Sequence, residues 1–400
     1  MKKPTRSLAD ELRGARRLAV EATGGVTRVV EAMHQTIAGG PDILARPLEG
    51  VARAVTAPVY GGIQGVTQAV GAGVELVLRG LSPWLRPSAP GPTREALLAV
   101  VNGVVGDYLE ASHNPLALEM RLRHGGHALT LEHHALREAF PDARRKVLVL
   151  VHGSCMSDLQ WLRRGHDHGA ALARDLGYTP LYLHYNSGLH ISENGRAFAA
   201  LLQALVEAWP VPIEALDLLT HSMGGLVSRA ACHIAEDAGL GWRPQLRAMV
   251  FLGTPHHGAP LERHGNWADV LLGVSRYSAP LARLGRIRSA GVTDLRYGQV
   301  LDEHWMGRDR FAGTGDLRAG LKLPEGVRCY AVAGTSSLDA KAKRPGDGMV
   351  PRNSALGEHA RPELTLDFPA AHRWIARGVK HLDLLSSAEV YAKVRDWLSD

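Results

Sequence analysis

Short, almost uninterrupted apolar runs constrain this chain more than any other feature. The clearest, 147–151, is continuous, and further strand candidates fall at 180–185, 216–220, 249–252 and 327–333. A strand with one wet face alternates apolar and polar residues, so near-continuous runs read as strands buried on both faces. The segments between them carry helical spacing at 191–208 and 223–235, and a last helix is expected over about 387–398. Ser386 lies three residues before Glu389, the spacing of a capping box at its start. Residues 116–123 and 128–131, joined by His124-Gly125-Gly126-His127, read as a short hairpin. Alternating strands and helices predict an α/β fold whose mostly parallel sheet is covered on both sides.

Residues 1–90 follow another pattern. Apolar residues recur at steps of three and four from Leu18 to Ile37 and again from Leu48 to Leu81, around a break at Gly39-Gly40-Pro41. Pro58 starts a new helix or kinks this one. The proline cluster that follows, from Ser82 to Pro92, reads as a linker. The predicted organisation is a helical N-terminal segment over 1–90 and an α/β domain over 93–400. The rhythm of that domain is interrupted by a lid insertion over about 259–322, which holds Trp267, Tyr277, Tyr297, Trp305 and Phe311 among many arginines.

The net charge is +6, and residues 1–90 hold 11 Lys and Arg against 7 Asp and Glu, so most of the excess sits there. A mildly basic arm suits an anionic surface. No series of stacking aromatics accompanies it, so nucleic acid is not expected as a partner. Two readings stay open for the segment: a bundle packed on protein, or an arm that makes peripheral contact with a lipid surface. Cys155, Cys232 and Cys329 form no disulfide framework and fit a reducing compartment. Charged residues from Asp10 to Arg17 interrupt any secretory h-region. The nearest transmembrane candidate, 54–74, is broken by Pro58 and carries Gln64 and Gln68. A cytoplasmic protein is expected, with membrane contact only if the arm reading holds.

The chemistry concentrates in Thr220-His221-Ser222-Met223-Gly224-Gly225, where an apolar strand runs into a serine, small residues and a helix. A serine hydroxyl is a poor nucleophile unless it is exposed on a tight turn beside a base, and a strand–turn–helix elbow provides that exposure. Thr220 stands where the G-x-S-x-G pattern has its first glycine. The N–H of Met223 opens a helix and suits a developing oxyanion. A second strand ends in His152-Gly153-Ser154, and the N–H of Ser154 is the candidate second donor. His152 reads as structural, and Cys155 as a buried thiol rather than a rival nucleophile. The candidate base is His381, in the loop before the terminal helix, with His372 as runner-up. The candidate acid is Asp347, in a glycine loop after the 327–333 strand, with Asp339 and Asp294 as alternatives. Ser222, Asp347, His381 is the order of nucleophile, acid and base in α/β-hydrolases.

These residues, with Leu252-Gly253-Thr254-Pro255-His256-His257-Gly258 and Lys380-His381-Leu382, resemble the bacterial lipase/esterase branch of the α/β-hydrolases, similar to GPI inositol-deacylase-like and triacylglycerol lipase families. The resemblance covers about 110–398. It implies a carboxylic ester substrate, an apolar or lipid ester cleaved through an acyl-enzyme, no organic cofactor and a lid near the site. In some such lipases an aspartate two positions after the catalytic histidine binds structural calcium, and Asp383 occupies that place. No second ligand accompanies it. His166-Asp167-His168 and His256-His257 show no complete ligand set either, so no metal is expected. An acyltransferase or thioesterase would use the same residues. A catalytically silent binding module remains the reading from another class.

Overall fold

The computed structural model describes residues 92–259, 288–310, 315–336 and 346–399. The 1–90 helices, the middle of the insertion and Asp339 lie outside the described residues. The chain divides into two compact units, Met1–Arg94 with Leu109–Ala117, and Glu95–Tyr108 with Leu118–Asp400. Of the first, the described part comprises the two ends of a helix and a turn closed by the Ala117 N–H on the Asn114 carbonyl, 2.9 Å.

The second unit is built on eight strands. In chain order its main elements begin with α1 (Pro92–Ala111, shared with the first unit), β1 (Arg121–His124), β2 (His127–Ala128), α2 (His133–Ala139) and β3 (Lys146–Val151). Then come α3 (His168–Leu176), β4 (Thr179–His184), α4 (Ile191–Ala208), β5 (Ala215–His221), α5 (Met223–Asp237) and β6 (Leu246–Leu252). The last are β7 (Arg328–Thr335), β8 (Arg373–Arg377) and α6 (Ala388–Ser399). The spatial order is β2-β1-β4-β3-β5-β6-β7-β8. β1 runs antiparallel to β2 and β4, and every pairing from β4 to β8 is parallel.

Strand periodicity sorts the apolar side chains into two cores. Val147, Val149 and Val151 of β3 share one cluster with Phe198, Leu202 and Leu205 of α4 and Leu226 and Val227 of α5. Leu148 and Leu150, on the opposite face, join Leu172 of α3 and Val390, Val394 and Trp397 of α6. Helices therefore cover both faces, which is why β3 and β5 tolerate no exposed side chain along most of their length.

The predicted hairpin is present but shorter, with only β1 and β2 paired. At the start of α6 the serine is Ser387, whose Oγ accepts the Val390 N–H at 3.4 Å. The expected Ser386–Glu389 box is thus displaced, because Ser386 instead closes the preceding turn through Asp383, 3.1 Å. α1 and β8 were not foreseen. β8 is an edge strand with charged ends and only Ala376 buried, so it lacks the apolar run that marks its neighbours.

Candidate active site

The sheet order, with its antiparallel start, parallel remainder and covering helices, gives the chain an α/β-hydrolase fold. The connection from β3 leads to β4 on one side, and the next returns across β3 to β5 on the other. In open α/β sheets the crevice at the carboxyl ends of strands flanking such a switch point is where ligands bind. His152, Gly153 and Ser154 follow β3, and Ser222 follows β5, so both candidate segments open at that crevice.

Ser222 is the sharp corner between β5 and α5. Its backbone sits at φ 53°, ψ −126°, a region that L-residues other than glycine rarely adopt. The corner is held by its N–H on the Leu252 carbonyl, 2.9 Å, and by the Gly225 N–H on its own carbonyl, 3.1 Å. Two glycines make the turn sterically feasible. A Cβ on Gly224 would press into the backbone carbonyls of Val151 and His152, and one on Gly225 into the side chain of Thr254. Thr220 fits in place of glycine because its hydroxyl donates to the Val250 carbonyl on β6 at 3.0 Å, so no buried polar atom is left over.

His381 and Asp347 are brought together from separate loops. His381 Nδ1 lies 2.7 Å from Asp347 Oδ2, and both side chains are buried. The other carboxylate oxygen of Asp347 accepts the N–H groups of Met349 and Val350 at 2.9 and 2.8 Å. The His381 N–H donates to the Asp347 carbonyl at 3.1 Å, tying the two loops by backbone as well. With Nδ1–H directed to a carboxylate, the neutral ring keeps its lone pair on Nε2. That Nε2 is buried and has no hydrogen-bond partner, so no hydrogen bond to Ser222 is formed in this state. The link between serine and histidine runs through Leu252-Gly253. The carbonyl of Leu252 holds Ser222, and a Cβ on Gly253 would lie 3.1 Å from both His381 Nδ1 and Asp347 Oδ2.

The loop after β3 touches the serine directly: a Cβ on Gly153 would stand 3.0 Å from Ser222 Cβ. Ser154 is buried beside it. The Met223 N–H occupies the first position of α5, where no intrahelical acceptor exists. Cys155 adopts φ 58° and donates its N–H to Ser187 Oγ at 3.0 Å, which fixes the turn. Burial pushes its thiol up to about 12, so it stays protonated and unreactive. His152 stacks on Tyr185 with centroids 4.4 Å apart, and burial lowers it to about 3. It is a neutral packing residue.

The other candidates lie elsewhere. His372 Nδ1 meets the Cys329 carbonyl at 3.1 Å. Asp294 binds His190 at 3.0 Å and the Ile191 N–H at 2.9 Å. Asp383 faces Arg164 at 3.0 Å and Arg163 at 3.7 Å, cationic neighbours unsuited to a calcium ligand. Among the described residues the one cluster with metal-ligand spacing is Glu95, Asp158 and His184, and the Arg123 guanidinium lies 2.7 and 3.1 Å from its two carboxylates.

Sequence reasoning missed three supports. His221 Nε2 lies 3.1 Å from the His381 carbonyl, with the two rings 4.7 Å apart. Ser187 holds the Cys155 turn. Gly103 of α1 lets that helix approach Cys155, where a Cβ would collide with its backbone at 2.9 Å. Only the His-Ser pair of the elbow motif signalled any of these in advance.

Among families, a domain of unknown function (DUF7379) matches residues 120–295. No curated protein matches the chain. Among solved structures, a mature Bacillus licheniformis lipase is 19% identical, with 64% of this chain and 91% of that one covered and a TM-score of 0.41. Aspergillus fumigatus lipase B is 12% identical over 68% of this chain and 59% of that one, TM-score 0.40. An esterase of Pyrococcus furiosus is 13% identical over 64% and 81%, TM-score 0.37.

Proposed function

We propose that the chain is a serine carboxylic-ester hydrolase acting through an acyl-enzyme on an apolar or lipid ester. The observation that carries this reading is the buried Asp347–His381 pair, 2.7 Å apart, linked through Leu252-Gly253 to a serine held in a strained corner at the switch point. In this mechanism Ser222 Oγ attacks the ester carbonyl as His381 Nε2 takes its proton. Asp347 holds the ring tautomer and stabilises the imidazolium that forms. The N–H groups of Ser154 and Met223 receive the negative charge of the tetrahedral intermediate. The proton on His381 passes to the leaving alkoxide, and water, activated by the same ring, releases the acid. The orphaned Nε2 supports the role of base, since a buried acceptor without a partner is ready for a hydroxyl.

Residues 1–90 are proposed as the lipid-surface arm, in a cytoplasmic protein. No helix among the described residues is long and apolar enough to cross a membrane. Deleting the arm should abolish binding to anionic vesicles while turnover of a short-chain soluble ester persists. Intact vesicle binding after deletion overturns the arm.

The deciding experiment is labelling with a fluorophosphonate probe. Wild type should react, and folded Ser222→Ala and His381→Ala variants should not. Equal labelling of Ser222→Ala would place the activated serine elsewhere.

A further inference from the structure

β5 ends in His221, the residue before Ser222, and the proposed chemistry gives it no role. Strand alternation puts His221 on the same face as Leu219. That face is packed by Leu384 and Leu385, from the short turn His381–Leu385 that carries the base. The His221 ring is buried, and its centroid lies 4.7 Å from that of His381.

One hydrogen bond fixes its tautomer. Nε2 stands 3.1 Å from the His381 carbonyl. A carbonyl only accepts, so Nε2 carries the proton and Nδ1 the lone pair. Burial, followed by the neighbouring His381, holds His221 well below the usual histidine range, so the ring is neutral and has that one proton to donate. Nδ1 is buried without a hydrogen-bond partner and lies against the loop after β3, where a Cβ on Gly153 would stand 3.2 Å from it. A leucine would fill this space without desolvating two ring nitrogens. What the imidazole adds is a single donor, delivered to the backbone of the base.

The contact matters because of how His381 is held. Asp347 orients its ring at 2.7 Å and accepts its N–H on a backbone carbonyl at 3.1 Å, so both ties run to one loop. His168 Nε2 meets the Leu384 carbonyl at 2.9 Å, and Arg164 meets Asp383 at 3.0 Å, which anchors the rest of the turn to the segment after β3. His221 ties the His381 backbone to the strand that ends in the nucleophile. With Nε2 of His381 unpartnered, no hydrogen bond between base and nucleophile fixes their separation. The backbone of the turn and of β5 must set it.

We infer that His221 is a positioning residue for the base: its Nε2–H holds the His381 carbonyl and thereby keeps the His381 ring at a fixed reach from Ser222. This role rests on the proposed ester hydrolysis and deepens it. The hydrogen bond ends on a backbone carbonyl rather than on a reacting atom, so His221 acts through geometry alone. A displacement of about 1 Å at a reacting centre costs on the order of 10²-fold in rate. A tie that holds the base and not the ester acts on the chemical step, so its loss should fall on kcat and spare KM.

The test compares folded wild type, Ser222→Ala, His221→Gln and His221→Met, all as the full chain, on a soluble p-nitrophenyl ester. A glutamine amide donates where Nε2–H does, whereas methionine fills the space without a donor. His221→Met should lose about 10- to 100-fold in kcat with KM changed by less than about twofold. His221→Gln should recover kcat to within about threefold of wild type, a rescue that packing alone does not predict. His221→Leu carries the same expectation as methionine and covers the case of a methionine variant that fails to fold. The inference is overturned if the donorless variant keeps the wild-type kcat, if the glutamine variant is as slow as the donorless one, or if the loss appears in KM alone. Wild type no faster than Ser222→Ala would overturn the hydrolase reading itself, and this inference with it.

Discussion

The two ends of β5 hold buried polar groups under opposite conditions. Near its start, Asp217 is fully buried and fully served. Arg247 reaches it at 2.8 Å, Tyr178 donates its hydroxyl to it, and the same arginine donates to the Leu398 carbonyl at 3.0 Å. Just past its end, Ser222 sits in a strained backbone, and the Nε2 of His381, the proposed base, has no partner. One strand thus carries a closed network and an open one. A satisfied buried network holds structure, while strain and missing partners at a crevice mark where a ligand completes the site. The two buried arginines repeat the contrast: Arg247 has its aspartate, and Arg229 has none among the described residues.

The largest effect expected on the open end is on rate. Ser222→Gly should lower ester turnover by on the order of 10⁴-fold or more, and Asp347→Asn by roughly 10²- to 10⁴-fold with little change in KM. Initial rates on a p-nitrophenyl ester check both, and wild-type turnover in either folded variant would break the assignment.

On the closed end the effect should fall on stability. Asp217→Ala leaves Arg247 without its counter-charge and should cost about 3–5 kcal/mol in urea unfolding. The kcat of whatever remains folded should not change. A loss of kcat at full occupancy of the fold would mean the two ends are coupled.

A smaller effect of opposite sign sharpens the comparison. Ser222→Gly should stabilise the protein by about 1–2 kcal/mol, because glycine adopts φ 53° without strain. A destabilised glycine variant would show that the corner is not strained.

Stability should also depend on pH. His152 and His168 are lowered by burial to about 3 and about 4. The unfolded chain, with ordinary histidines, takes up protons first as pH falls below about 6.5. Stability should therefore be fully present above that value and decline from about pH 6.5 down to about 4, by up to roughly 1.4 kcal/mol per pH unit for each histidine. Urea midpoints at pH 7.5 and 5 check the sign, and a higher midpoint at pH 5 would refute it.

Much of the frame was legible in the residues. The runs at 147–151 and 216–220 lie within β3 and β5, and the helix expected over 191–208 has those bounds. The elbow motif placed Ser222 between a strand and a helix, as found. The loops carrying Asp347 and His381 were also legible, although their 2.7 Å meeting was not.

The sequence by itself determined the elements, because apolar periodicity is a local property that each segment carries whatever its neighbours are. Only the tertiary structure decided which polar groups found partners. Ser187 with Cys155, His221 with His381 and Asp217 with Arg247 join residues 30 to 160 positions apart. That Arg229 has no carboxylate partner among the described residues is legible only by the same accounting. Whether a buried donor has an acceptor depends on every chain segment packed around it, and no local pattern encodes that sum.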